Sequence, residues 1–255
     1  MSAPLERITW LGHATVLLEV GNARLLTDPL LRDRVGHLRR HAPTPPSDAA
    51  DRIDAVLVSH LHLDHLDAAS LRRLRSDVAV LAPEGAGMLL RRLGFARTRE
   101  LCAGEHEEIG RAAVEAVPAT HDGRRHPLAP RAEAIGFVVS GQRRVYFAGD
   151  TDLFAGMAQL AGTLDVALLP VWGWGPRLGA GHMDPLRAAR AAAILRPRIA
   201  VPIHWGTFFP AGLARLRPSA LIEPPRAFVR HAAELAPDVE IRVLQPGETL
   251  SLGSA

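Results

Sequence analysis

Ile53-Asp54-Ala55-Val56-Leu57-Val58-Ser59-His60-Leu61-His62-Leu63-Asp64-His65-Leu66-Asp67 is the stretch on which the fold turns. Residues 53–59, apolar apart from Asp54 and Ser59 and rich in β-branched side chains, predict a short buried strand. Three histidines and an aspartate then fall within six residues, and a helix is expected to start near Asp67. In an extended chain His60 and His62 project to one side. Asp64 and His65 pass beyond the strand end and address a neighbouring point. Loop ends beyond strands are where a rigid scaffold presents its working side chains. Imidazole nitrogen combined with carboxylate oxygen is a donor set that suits zinc.

Further candidates lie at the ends of other expected strands. His121 follows residues 114–120, Asp150 follows 145–149, and His204 follows 200–203. A catalytic zinc takes about three protein ligands and a water. The seven side chains His60, His62, Asp64, His65, His121, Asp150 and His204 are too many for one ion and suit two. A lone histidine is ordinarily a hydrogen-bonded core or surface residue. That explanation does not cover a tight cluster with three partners at strand ends.

Around this centre, strands are expected over 7–11, 14–20 and 23–27, with Gly21-Asn22 as the turn between the last two. Others are expected over 112–118, 134–140, 143–148, 164–170, 199–203 and 240–244. Residues 32–51, with Pro43, Pro45 and Pro46, read as a loop. Helices are expected over 84–93, 184–195 and 223–235. The second has a clear start signal, Asp184 as N-cap with Pro185 at the first helical position. Strands in both halves with interspersed helices predict a sheet-on-sheet core covered by helices.

The 255 residues suffice for one domain with a substantial core. Cys102 is the only cysteine, so no internal disulfide forms. The start lacks a basic-then-apolar leader, and no apolar run approaches the ~18 residues of a membrane span. A cytoplasmic protein with no membrane span is expected. The isoelectric point near 10.2 suggests a polyanion partner, but the net charge is only +3. All 30 basic residues are arginine, so few groups titrate between histidine and arginine and a small excess inflates the value. The arginines are scattered along the chain. They read as a solvated surface, and no nucleic-acid partner is expected.

The pattern His60-x-His62-x-Asp64-His65, with His121, Gly149-Asp150 and His204, resembles the metallo-β-lactamase superfamily from about Thr9 to Phe208. Within it, Trp10-Leu11-Gly12-His13-Ala14-Thr15, Leu26-Thr27-Asp28-Pro29, Gly181-His182-Met183-Asp184-Pro185, His204-Trp205-Gly206-Thr207-Phe208 and Pro176-Arg177 are similar to one branch. That branch contains N-acyl-phosphatidylethanolamine phospholipase D and the ascorbate-6-phosphate lactonases. The branch differs at Leu63, where the phospholipase has tyrosine, and after His121. The resemblance implies an α/β fold, an αβ/βα four-layer sandwich of two mixed sheets flanked by helices. It implies one metal on His60, His62 and His121, a second on Asp64, His65 and His204, and Asp150 as the bridge. The ions implied are divalent, zinc first, with manganese or iron as alternatives.

Two adjacent cations lower the pKa of a shared water toward neutrality and polarise a carbonyl or phosphoryl oxygen. The expected activity is hydrolysis of a phosphodiester or of a lactone or other ester, on a small-molecule or lipid-like substrate. Asp64 is the expected proton-transfer group. The resemblance places His182 beside the substrate, as an oxyanion or leaving-group partner. A structural role in its glycine-rich loop is the alternative. His13 either supports the ligand loops or holds its turn, and Asp28 is expected to accept hydrogen bonds from the ligand loop. Trp172, Trp174 and Pro176 either line a substrate pocket or pack in the core. His37, His41, His106, His126, His231 and Cys102 have no chemical partner by spacing. Two other classes compete: an RNA-processing nuclease of the same fold, and a metal-binding sensor without turnover. The oligomeric state is left open.

Overall fold

The computed structural model describes residues 5–125, 132–175 and 177–253. It opens with β1 (Glu6–Gly12), β2 (Thr15–Val20) and β3 (Ala23–Thr27), then a small hairpin of β4 (Arg34–Val35) and β5 (Leu38–Arg40). Next come β6 (Ala55–Leu57), α1 (Ala68–Leu71), β7 (Ala79–Pro83), α2 (Gly87–Arg92) and β8 (Thr98–Leu101). The second half runs β9 (His106–Ile109), β10 (Ala112–Asp122), β11 (Glu133–Ser140), β12 (Arg144–Phe147), β13 (Val166–Pro170), α3 (Pro185–Leu195) and β14 (Ile199–Ile203). It ends with β15 (Phe208–Pro210), α4 (Glu223–Leu235), β16 (Glu240–Ile241) and β17 (Thr249–Leu252).

Two seven-stranded sheets result, in the orders β17-β1-β2-β3-β6-β7-β8 and β16-β14-β13-β12-β11-β10-β9. Both are mixed. In the first, β1–β3 pair antiparallel and β3, β6, β7 and β8 run parallel; in the second, β9–β12 pair antiparallel and β12, β13, β14 and β16 run parallel.

The period-2 pattern explains the layering. Val16, Leu18, Leu25, Ala55, Leu57 and Leu81 face the core shared by the two sheets. Their neighbours Leu17, Leu26, Val56, Val58, Val80 and Ala82 face a second cluster with Leu71, Leu90 and Phe95 around α1 and α2. A sheet apolar on both faces must be covered on both. On the far side α3 and α4 cover the second sheet, with Ala188, Ala189, Ala192, Leu195 and Phe228 fully buried. Hence the layers run helix, sheet, sheet, helix, as expected.

The Asp184 cap forms as read. Its Oδ1 accepts from the Arg187 backbone N–H at 2.8 Å, with Pro185 opening the helix. Several elements escaped the sequence reading. β7, β8, β9, β15 and β17 are strands, and the expected loop 32–51 contains the β4–β5 hairpin, which pairs with β15 into a third, small sheet. β10 runs past Pro118 to Asp122 through a register shift, so His121 lies within the strand rather than after it.

Candidate metal centre

Strand ends from both sheets converge at one edge. His13 follows β1, Asp28 follows β3, His60 follows β6, Asp150 lies beyond β12 and His204 follows β14. The carboxyl ends of parallel strands are the usual place for a ligand in such sheets. Ligating atoms of His60, His62 and His121 lie within 4.8 Å of one another, as do those of His13, Asp64, His65 and His204. Asp150 connects the groups. Its Oδ2 is 3.3 Å from His65 Nε2, and its Oδ1 is 3.2 Å from His204 Nε2. All seven side chains singled out in the sequence are thus brought together.

The backbone at this edge adopts conformations that side chains rarely take. His13, Asp28 and His204 have positive φ, at 56°, 33° and 62°. Such strain persists only where surrounding contacts impose it, and it gathers at working sites. The His13 backbone N–H donates to Thr207 Oγ1 at 2.7 Å, and its carbonyl accepts from the backbone N–H of His204 at 3.0 Å. Gly149 has φ +60°, and a Cβ there would stand 2.6 Å from the Ser59 Cβ. Only glycine lets the strand carrying Asp150 approach the histidine loop so closely.

Hydrogen bonds on the outer side fix the state of each ring. Asp28 is fully buried; its Oδ1 accepts from the Ser59 backbone N–H at 2.7 Å and its Oδ2 from Ser59 Oγ at 2.6 Å. With its one proton given to Asp28, Ser59 Oγ accepts from His60 Nδ1 at 3.0 Å. His65 Nδ1 donates to Asp28 Oδ2 at 2.7 Å. Carbonyls can only accept, so His121 Nδ1 donates to Gly181 at 3.0 Å and His204 Nδ1 to Trp172 at 3.0 Å. Four rings are therefore anchored through Nδ1 and turn Nε2 inward, the arrangement by which metal-binding histidines are oriented.

The inward atoms meet the requirement for a cation. His60 Nε2 and Asp150 Oδ1 are buried with no hydrogen-bond partner. His65 Nε2 faces His204 Nε2 at 3.1 Å. With both Nδ1 atoms committed as donors, these two nitrogens meet favourably only through a proton or a metal cation. Burial pushes His65 down, but Asp150, Asp64 and Asp28 outweigh it and hold the ring well above its usual pKa. The same carboxylates that retain a proton there would retain a metal. Burial holds His60 and His62 below their usual range and takes His121 to about 4 and His204 to about 3. Those four are neutral bases at pH 7. Burial raises both carboxylates, yet His65 and His13 hold Asp64, and His204 and His65 hold Asp150, well below the ordinary value. Neutral imidazoles with ionised carboxylates are the donors a divalent cation needs.

Other expected residues fall into place around this floor. His13 Nε2 donates to Asp64 Oδ2 at 3.0 Å, and its ring lies 3.9 Å from that of His204. It supports two of the convergent side chains at once. His182 Nε2 stands 3.4 Å from Asp150 Oδ2, and its Nδ1 reaches Gly179 O at 3.3 Å and Ala180 O at 3.2 Å. Gly181, at φ +77°, passes so near His121 that a Cβ would lie 3.1 Å from its Nδ1. A cavity of about 450 Å³ opens over Asp64, Asp150, His182 and His204, with Trp174, Leu63 and Arg177 in its wall. Trp172 packs against the core and offers its carbonyl to His204, so the two tryptophans divide the roles. His126 and Pro176 lie outside the described residues. Ser59 and Arg125 were missed in the sequence. Arg125 Nη1 donates to Leu61 O at 3.1 Å and Leu66 O at 2.9 Å, clamping the ligand loop. Position next to the first histidine was the one signal for Ser59; Arg125 offered none.

Comparison with known proteins agrees with this geometry. A family model described as a beta-lactamase superfamily domain matches residues 23–205. A metal-dependent hydrolase from Methanopyrus kandleri is 34% identical over 253 residues, covering 95% of this chain and 98% of that protein. An N-acyl-phosphatidylethanolamine-hydrolyzing phospholipase D from Caenorhabditis elegans is 32% identical over 228 residues, covering 78% of this chain and 64% of that protein. Among solved structures, a metallo hydrolase from Ignicoccus hospitalis superposes with a TM-score of 0.74 at 24% identity, covering 99% of this chain and 100% of that one. No helix among the described residues is long and apolar enough to cross a membrane. With the family model spanning most of its length and the histidine-carboxylate nest where two mixed sheets meet, the chain belongs to the metallo-β-lactamase superfamily, as a metal-dependent hydrolase.

Proposed function

We propose that the chain is one hydrolase domain that holds two divalent cations, zinc in the first instance. His60, His62 and His121 would hold one, and Asp64, His65 and His204 the other, with Asp150 shared. The observation that carries this reading is the inward turn of four Nε2 atoms, each anchored through Nδ1, onto two ionised carboxylates. When bound, such a pair supplies Lewis acidity and an activated water. The substrate class that suits this chemistry is a phosphodiester or a lactone or other ester.

The chain's own residues divide the remaining work. Asp64 has one oxygen tied to His13 at 3.0 Å and borders the cavity. It orients the attacking water and receives a proton from it. His182 shares Asp150 with the floor and borders the same cavity. The hydrogen bond with Asp150 lifts it above its usual pKa against the effect of burial, so it presents a proton to a developing oxyanion or leaving group. Trp174, Leu63 and Leu178 give the cavity an apolar side for an acyl or aryl group.

Elemental analysis after zinc loading and dialysis is the test, followed by a panel of chromogenic phosphodiesters, lactones and β-lactams with metal-depleted protein as control. About two equivalents of metal per chain, and hydrolysis lost on depletion, are expected. A ratio near one contradicts the paired centre. Two bound metals without turnover of any ester favours the sensor.

A further inference from the structure

Arg40 is buried, at 7% exposure, and no step above uses it. Its guanidinium bonds to carbonyl oxygens alone: Nη2 donates to Leu30 at 2.5 Å, Nε to Arg32 at 3.3 Å and Nη1 to Leu11 at 3.5 Å. The group lies 4.7 Å over the Phe208 ring. Burial takes its pKa down to about 10, with Asp33 offsetting part of the effect. The Asp33 carboxylate is itself taken by Thr44 Oγ1 at 2.6 Å. A buried charge without a close counter-ion costs stability, and the carbonyls it serves show what it holds.

Two of those carbonyls belong to the strained turns behind the metal floor. The β1–β2 register passes from Trp10 to Gly12 and skips Leu11. Gly12 and His13 follow, both with positive φ, at 103° and 56°. A Cβ on Gly12 would stand 3.2 Å from Arg40 Nη1, so the guanidinium packs directly on this turn. Leu30 closes the other turn, where Asp28 has φ 33°. There Thr15 Oγ1 donates to the Asp28 carbonyl at 2.8 Å and accepts the Leu30 backbone N–H at 3.0 Å. The backbone adds a third grip. Arg40 pairs with Phe208 across β5 and β15, and the next N–H, of His41, donates to Thr207 O at 2.7 Å. Thr207 Oγ1 accepts from His13, and the Phe208 ring meets the His13 ring edge-on at 5.6 Å.

We propose that Arg40 is a positioning residue of the centre. Its buried guanidinium joins the His13 turn to the Asp28 turn. It thereby sets how His13 meets Asp64, how Asp28 meets His65 and, through Ser59, how His60 is turned. A planar fork of donors can reach carbonyls on diverging segments, which a single ammonium cannot do equally well. The small third sheet is then a strut for the floor. What this implies for metal binding rests on the paired-cation reading above; what it implies for the imidazoles does not.

The test compares wild type with Arg40→Met, which keeps an apolar chain over Phe208, with Arg40→Lys, which keeps charge, and with Leu252→Ala. Leu252 is buried opposite Glu6, at the far end of β1 from His13, so its truncation lowers stability without reaching the turns. In metal-free protein, nitrogen-15 NMR reads the imidazole N–H signals of His65, bonded to Asp28, and of His13, bonded to Asp64. Both should shift or broaden in Arg40→Met, partly recover in Arg40→Lys and stay in place in Leu252→Ala. Chelator competition should show metal affinity about tenfold weaker in Arg40→Met and within twofold of wild type in Leu252→Ala. The visible bands of cobalt-loaded Arg40→Met should change in position or intensity. Should Arg40→Met fail to fold, Arg40→Lys carries the same comparison, with intermediate imidazole shifts expected. Unmoved imidazole signals in the Arg40 variants, whatever their melting temperature, overturn the positioning role. So do equal shifts in Leu252→Ala, which would mean general loosening. A wild type that takes up no metal removes the paired-cation reading, and the metal-free imidazole signals then decide the role of Arg40 alone.

Discussion

Asp28 and Gly179 stand behind two histidines of the same cavity and hold them in different ways. Asp28 is fully buried and accepts three bonds of 2.6–2.7 Å from Ser59 and His65, residues more than thirty positions away. Gly179 is exposed and meets His182 at 3.3 Å, three positions along the same loop. The floor is therefore set by short, dry, long-range bonds, and the wall by weaker local ones. Preorganisation matters most where charge is held and develops, and a substrate must enter past the other side. The difference implies that floor and wall variants fail differently: the floor loses metal, and the wall loses turnover or substrate affinity with the metal kept.

The largest effect is expected at Asp28. Asp28→Asn keeps the volume but puts an N–H₂ where the carboxylate accepts from Ser59 or His65. Ring orientation and the negative charge behind His65 are both lost. Metal affinity, measured by competition with a chromogenic chelator, should fall about 10–100-fold. A change under threefold would mean that the floor is not organised from behind.

The next effect is in pH. His204 is held at about 3 and His121 at about 4, both below the ordinary 6.5. In metal-free protein they stay neutral where the unfolded chain takes up protons. Their stability is complete above the unfolded pKa and is lost as pH falls below about 6.5. His65 has the opposite sign. Raised above its ordinary value, it contributes stability that is complete below 6.5 and lost as pH rises through its folded pKa. Asp64 and Asp150 matter only below the ordinary carboxylate value of 3.8. Metal-free protein should therefore melt highest near neutrality. By pH 5 it should be about 2 kcal/mol less stable through His204 alone. A flat melting curve between pH 5 and 7 would contradict the neutral, buried state of that ring.

His182→Ala sharpens the same contrast from the other side. Turnover should drop at least about tenfold, about 1.4 kcal/mol, while elemental analysis finds the metals unchanged. Loss of metal instead would move His182 from the wall to the floor, consistent with its 3.4 Å approach to Asp150.

The floor was legible in the sequence because chemistry is dense there. His60, His62, Asp64 and His65 are consecutive or alternate, and each remote partner closes an apolar run. Asp28 was legible as a polar residue at a strand end, and Asp184 as a cap because Pro185 follows it. What stayed hidden is set by distance along the chain. β17 pairs with β1 across nearly the whole sequence, and β9 is a charged edge, His106-Glu107-Glu108-Ile109, with no apolar alternation. The anchors for His121 and His204 are the backbone carbonyls of Gly181 and Trp172, which no residue type announces. Arg34 and Arg39 read as scattered because they become cross-strand partners only when the β4–β5 hairpin closes.

Trp174 provides the finest test, because it belongs to the wall yet is partly buried. It packs against Leu30, Val35, Leu38 and Phe208, and its ring also meets His37. Trp174→Ala therefore has two costs. Exposed apolar area beneath the ring should lower stability by about 1–2 kcal/mol, less than a fully buried tryptophan would lose. An apolar side of the cavity also disappears, so KM for an ester with an acyl or aryl arm should rise about fivefold. Because the ring packs on the hairpin side, against His37 and Phe208, kcat should stay within about twofold and metal content should not change. Trp174→Leu, which restores apolar contact without the aromatic edge to His37, should recover stability more fully than KM. If kcat falls as far as KM rises, the wall is coupled to the reacting centre, and the separation between floor and wall does not hold at this residue.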